Sequence, residues 1–106
     1  MYELNSVLIE GTATAKPVLT TTEAGSMVCR FQVETKQRIS EDAKTSRPAC
    51  FDVEAWSRLG QVCAETLDTG HRMRVVGRLA RRLVTVDGLT RTEVCIVAEH
   101  VEFMRT

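Results

Sequence analysis

Long apolar runs are missing from this sequence. No stretch approaches the ~20 residues needed to cross a bilayer, which excludes a membrane-spanning helix. The opening residues, Met1-Tyr2-Glu3-Leu4-Asn5-Ser6, carry no basic flank and no apolar block, so a cytoplasmic location is the expectation. Closely paired metal ligands are also missing. The four cysteines (Cys29, Cys50, Cys63, Cys95) form no CxxC pair, and His71 and His100 stand far apart with no carboxylate at ligand spacing. Zinc sites need paired ligands in at least one half, so no metal and no cofactor is expected. The cysteines read instead as small buried hydrophobes in a reducing compartment. Catalytic signatures are lacking too. The serines have no nucleophile-elbow context, and Gly60, Gly70 and Gly77 have the wrong spacing for a phosphate loop. An enzyme is therefore the weakest reading, with no catalytic residue to name.

Aromatic residues make up only 5% of the 106 positions, and net charge is zero. The zero hides an uneven distribution. Residues 71–91 hold Arg72, Arg74, Arg78, Arg81, Arg82 and Arg91 against one acid, Asp87. Residues 36–48 hold Lys36, Arg38, Lys44 and Arg47 against Glu41 and Asp42. The three remaining stretches are net acidic. A polyanion responds to the local field rather than to the sum, so two basic segments in a neutral chain still point toward nucleic acid. One such arginine would merely solvate the outer face of a strand; a cluster predicts more.

The length fits one domain over residues 1–106, large enough to bury a core without a staple. Asn5 to Gly11 is a short β-branched run that ends in a bend or bulge. Thr12 to Ser26 is turn-rich, with room for an edge strand near Thr20-Thr21-Thr22. Met27 to Thr35 alternates, with Met27, Cys29, Phe31 and Val33 on one face and Arg30, Gln32 and Glu34 on the other. Lys36 to Pro48 has no apolar period and reads as a mobile loop or splayed hairpin arm. Ala49 to Trp56 alternates again and sets Phe51 and Val53 opposite Cys50, Asp52, Glu54 and Trp56. Phe31, Phe51 and Phe103 are assigned to the core. Leu59, Val62, Cys63 and Leu67 then recur at helical spacing, and Gly70 is expected to cap that helix at its C-terminus. Met73, Val75 and Leu79 oppose Arg72, Arg74 and Arg78, and Asp87-Gly88 between strand-forming runs is a strong hairpin signal. Val94 to Met104 supplies the last strand.

Five strands with one helix between the third and fourth describe an all-β OB-fold, a small Greek-key barrel. The ordered series Asn5 to Gly11, Pro17, Gly25, Phe31 to Thr35, Phe51 to Leu59, Cys63-Ala64-Glu65, Leu67, Gly70, Val76 to Leu79, Thr92-Glu93-Val94 and Ala98 to Met104 resembles the bacterial single-stranded DNA-binding protein family. The resemblance covers almost the whole chain. It implies a homotetramer, or a dimer, that coats single-stranded DNA in replication, recombination and repair without reading sequence, with replication or repair proteins as further partners. It also implies stacking positions at Ile39, Cys50, Trp56 and Val84, of which only Trp56 is aromatic. The acidic C-terminal tail usual in that family is absent from this sequence.

Sequence-blind binding needs a cationic groove and π-faces on which bases stack. The expected site is Trp56 with Arg30, Lys36, Arg38, Arg72, Arg74, Arg78, Arg81, Arg82 and Arg91, the arginines of the fourth and fifth segments forming one trough. Asp52 and Glu54 share the Trp56 face, where they would repel phosphate unless they pair with arginines of the next strand or of a neighbouring subunit. Two other readings stand beside this one. A primosomal replication-restart protein is a tailless OB-fold relative of similar size. An OB-fold oligomerisation module that has lost its ligand fits the missing aromatics and the neutral total.

Overall fold

Alternating apolar and polar residues become strands, and the strands close on themselves. The computed structural model describes residues 2–38 and 46–105. Its elements run β1 (Val7–Ala13), β2 (Val18–Thr21), β3 (Met27–Arg38), β4 (Ser46–Trp56), α1 (Ser57–Thr66), β5 (Arg72–Val86) and β6 (Leu89–Phe103). The sheet order is β1-β5-β6-β4-β3-β2, and β1 pairs with β3 as well. Five strands thus make a ring, and short β2 hangs on the edge of β3, which is the OB-fold. With that edge strand set aside, the helix lies between the third and fourth barrel strands. All pairings are antiparallel except β4 with β6, which is parallel at Val53↔Ile96 and Glu54↔Val97.

Closure depends on β1 changing partners. Val7 to Thr12 ladder onto β5, and Thr12 and Ala13 pair with Glu34 and Val33 of β3. The bend expected at Gly11 lies at this crossing. A Cβ on Gly11 would sit 2.2 Å from the Glu34 carbonyl oxygen, so the two backbones meet where only glycine fits. Below Val7 the ladder is continued by a side chain. Asn5 accepts the Leu79 N–H through Oδ1 and donates Nδ2 to the Leu79 carbonyl, both at 2.9 Å.

The interior is filled by the inward residues of every barrel strand: Ala13 from β1, Cys29, Phe31 and Val33 from β3, Val53 and Ala55 from β4, Met73 and Val75 from β5, Ile96, Ala98 and Val101 from β6. The helix adds Cys63, with Leu59 and Ala64 packed beside it, and Leu67 follows directly after. Val62 is half-buried outside that cluster. Gly60 is a contact that helical spacing does not reveal. A Cβ there would lie 2.4 Å from the Ala55 carbonyl oxygen, so its absence lets the helix settle against the end of β4.

Four sequence expectations need correction. Gly70 does not cap the helix. Leu67 is the C-cap in an extended conformation, its N–H donating to the Cys63 carbonyl. Burial of the Leu67 side chain, only 3% exposed, turns the backbone out of the helix before Gly70 is reached. Gly70 serves instead in the return turn, with φ +86° and its N–H donated to the Ala13 carbonyl at 2.9 Å. Phe51 faces inward in register with Val33, yet remains 36% exposed, since β3 and β4 extend beyond it, their pairing at Lys36↔Pro48 and Arg38↔Ser46 replacing the ends of the loop expected there. Phe31 is buried and Phe103 packs against the core as expected. Leu79 shares the inner side of β5 with Met73 and Val75 but is half exposed, because β5 and β6 project past it as a long hairpin. That hairpin closes as the sequence predicts. Val86 pairs with Leu89 across Asp87 (φ +53°) and Gly88 (φ +77°), a two-residue turn of type I′.

The fourth correction concerns the cysteines. Cys29, Cys63 and Cys95 are buried, but Cys50 is exposed. Burial pushes all three enclosed thiols up, Cys63 to about 12. Since the thiolate is the reactive form, one thiol per native chain should react promptly with a disulfide reagent at neutral pH, and all four after denaturation. A native count above one would show that the barrel opens readily.

Candidate nucleic-acid interface

The outer side of β4 carries Cys50, Asp52, Glu54 and Trp56, as the alternation predicts. Their partners on β3 are Glu34, Gln32, Arg30 and Val28. Trp56 is 37% exposed and ends the strand. The next residue, Ser57, takes φ +56°, a left-handed conformation unusual for a side chain larger than glycine. This sharp turn starts the helix while leaving the indole on the outer face.

Beside the tryptophan lies an ion cluster. Arg30 Nε donates to Glu54 Oε2 at 3.0 Å, and Arg82 Nη1 donates to the same oxygen at 3.3 Å. Arg82 Nη2 stands 3.7 Å from Asp52 Oδ2. The Glu54 side chain is only 7% exposed, against 44% for Arg30 and 28% for Arg82. Arg82 Nε is buried without a hydrogen-bond partner. Cys95 lies beneath this group. Its thiol is pushed up first by burial and then by the Glu54 carboxylate, while Arg82 pulls the other way. Asp52 and Glu54 therefore pair with arginines of the same chain, Arg30 on adjacent β3 and Arg82 on β5 from across β6, rather than waiting for a neighbouring subunit.

A second cluster forms on β1, β5 and β6. Arg72 Nη2 reaches Glu10 Oε1 at 3.2 Å, Arg74 Nη2 reaches Glu10 Oε2 at 2.9 Å, and Arg74 Nη1 reaches Glu102 Oε2 at 3.4 Å. The hydrogen bond from Arg74 does most to hold the Glu10 carboxyl below its ordinary range, and Glu10 in turn pushes Arg74 up.

These pairs correct the expectation of one arginine trough. Arg72 and Arg74 are neutralised by β1, Arg82 by β4, and Arg91 faces Glu93 at 3.4 Å. Arg74 and Arg82 lie roughly 25 Å apart along β5 at ~3.3 Å per residue. The reason is register. Successive arginines on one strand meet different neighbours, and those of Arg72, Arg74 and Arg82 bring carboxylates. Lys36, Arg78 and Arg81 are exposed and make no ion pair with the described residues. Arg78 and Arg81 emerge on opposite sides of β5, since strand residues alternate. Of the four stacking positions implied by resemblance, Cys50 and Trp56 lie on the outer face of β4. Val84 is half-buried on β5 opposite Arg91, and Ile39 lies outside the described residues. Arg38 ends β3, and its side chain also lies outside them.

Comparison with known proteins agrees with this architecture. The model of the single-strand binding protein family matches residues 4–104. The chain is 31% identical over 105 residues to a single-stranded DNA-binding protein of Treponema pallidum, covering 98% of this chain and 60% of that protein. It is 32% identical over 108 residues to single-stranded DNA-binding protein 2 of Chlorobaculum tepidum, covering 98% of this chain and 73% of that one. A single-stranded DNA-binding protein of Aquifex aeolicus is 28% identical over 103 residues, 95% of this chain and 70% of its own length. A match that runs through every strand of the barrel and its one helix makes this chain a member of the single-strand binding protein family.

Proposed function

We propose that the chain binds single-stranded DNA without reading its sequence, in replication, recombination and repair. The observation that carries the reading is the exposed Trp56 on the outer face of β4, beside Arg30 and Arg82, in a member of this family. A strand laid over that face stacks one base on the indole, and its phosphates take up Arg30, Arg82 and the exposed Lys36 or Arg78. The proposal is of a binding protein rather than an enzyme. A cytoplasmic homo-oligomer, tetramer favoured over dimer, belongs to the same proposal. Leu8, 66% exposed on the outer side of β1, supplies apolar surface for such contacts.

One titration tests this. The chain has a single tryptophan, so its fluorescence reports on Trp56 alone. Added oligothymidylate should quench it at low salt. The log of the binding constant should fall with log salt by about 0.7 for each phosphate neutralised. A flat salt response overturns the reading. The carboxylates that hold Arg30, Arg72, Arg74, Arg82 and Arg91 favour a second reading, an OB-fold oligomerisation module without nucleic-acid binding. A stable oligomer on gel filtration that leaves oligothymidylate unbound at low salt selects it.

A further inference from the structure

We infer that Glu54 occupies the place of a phosphate on this face and sets how weakly the protein holds a single strand. The inference rests on the proposed nucleic-acid reading and adds to it a residue that determines affinity. Binding residues normally present their charge to solvent. Here two arginines, Arg30 and Arg82, turn to one carboxylate oxygen two residues before Trp56 on the same strand face, and that carboxylate is nearly enclosed. Carboxylate and phosphate make the same charge-assisted contacts with guanidinium, so Glu54 already satisfies what a phosphate would satisfy. Asp52 adds a second negative charge on the Arg82 fork. The cluster holds two cations and two anions, which leaves little net field for a polyanion. An incoming phosphate must displace Glu54 from the guanidinium groups or share them against its repulsion. The gain on binding is then the difference between two similar contacts rather than a whole one.

The second cluster gives a matched control. Glu10 also holds two arginines, Arg72 and Arg74, on β1 and β5 away from Trp56. Glu54→Gln and Glu10→Gln change net charge equally, and each removes a carboxylate shared by two arginines while leaving one of the two a second acid, Asp52 for Arg82 and Glu102 for Arg74. Binding of fluorescein-labelled oligothymidylate, followed by anisotropy across a salt series, separates them. Glu54→Gln should bind about three- to tenfold tighter at low salt, with a salt slope steeper by ~0.7–1.4, one or two further phosphates. Glu10→Gln should move far less. Equal gains in the two variants overturn the inference, because net charge alone would explain them. Weaker binding by Glu54→Gln also overturns it, since Glu54 would then be holding the arginines ready for DNA. If the wild type binds and Glu54→Gln matches it, the inference fails and the nucleic-acid reading stands. If no variant binds, both fall. Thermal melts check folding. Should Glu54→Gln not fold, Asp52→Asn decides, with a smaller gain in the same direction expected and no gain overturning the inference.

Discussion

Replacing Trp56 by alanine should weaken oligothymidylate binding by about 5- to 150-fold, the ~1–3 kcal/mol contributed by one stacked base. The effect should be large because, among the described residues, no other aromatic side chain stands on the outer face of β3 and β4. Cys50 and Val84 stand where the family resemblance implies further platforms. Trp56→Phe should recover much of the loss, because a smaller ring still presents a π-face. Anisotropy of a labelled oligonucleotide measures both variants without needing the tryptophan. The barrel should survive the change. Trp56 is more than a third exposed and lies outside the apolar core cluster, so alanine opens no interior cavity. Loss of binding together with a collapsed melting temperature would mean that the ring is structural.

A second large effect is expected at Gly11. Valine there should destabilise the fold by about 3 kcal/mol, near the upper end for overpacking. That corresponds to roughly 12–24 °C in Tm for a domain of this size. The reason is the nature of the obstacle. An added Cβ meets the Glu34 carbonyl oxygen at 2.2 Å and Val33 Cγ1 at 2.8 Å. A backbone oxygen within a strand cannot swing aside as a flexible side chain would, so β1 must separate from β3 and the ring must open. Gly88 provides the contrast. Nothing lies within 4 Å of a Cβ there, and only its positive φ resists substitution, which limits Gly88→Ala to about 1–2 kcal/mol. Thermal melts of the two variants should rank them in that order. Equal shifts would show that β1 tolerates displacement.

Local pattern carried the fold. Alternation marks β3, β4 and the start of β5, a β-branched run marks β1, a change of period marks the helix, and Asp87-Gly88 marks the hairpin. These signals are legible because each depends on residues close in sequence. Gly60 was opaque, as nothing in its neighbourhood shows that Ala55 passes beneath it. The end of the helix departs from the local pattern for a similar reason: the pull of the core on Leu67 outweighs the preference of Gly70. The candidate site was legible only in part. The Trp56 face followed from parity, and so did its sharing with Asp52 and Glu54. The charge cluster did not follow from counting arginines. Arg30 meets Glu54 through the β3–β4 register, Arg82 meets the same residue from across β6, and Arg74 meets Glu10 through the β1–β5 register. Register is a property of three dimensions, and it turned an apparent trough into separate neutralised groups.

The double engagement of β1 has a consequence for how the chain comes off the ribosome. Val7 ladders with Gly77, and Gly11 with Met73. At ~5–20 residues per second, the N-terminal strand waits about 4–14 s before its mate has even been translated. Through that interval Val7-Leu8-Ile9 is a bare, β-prone edge with no local alternative, the kind of segment that invites nascent-chain aggregation.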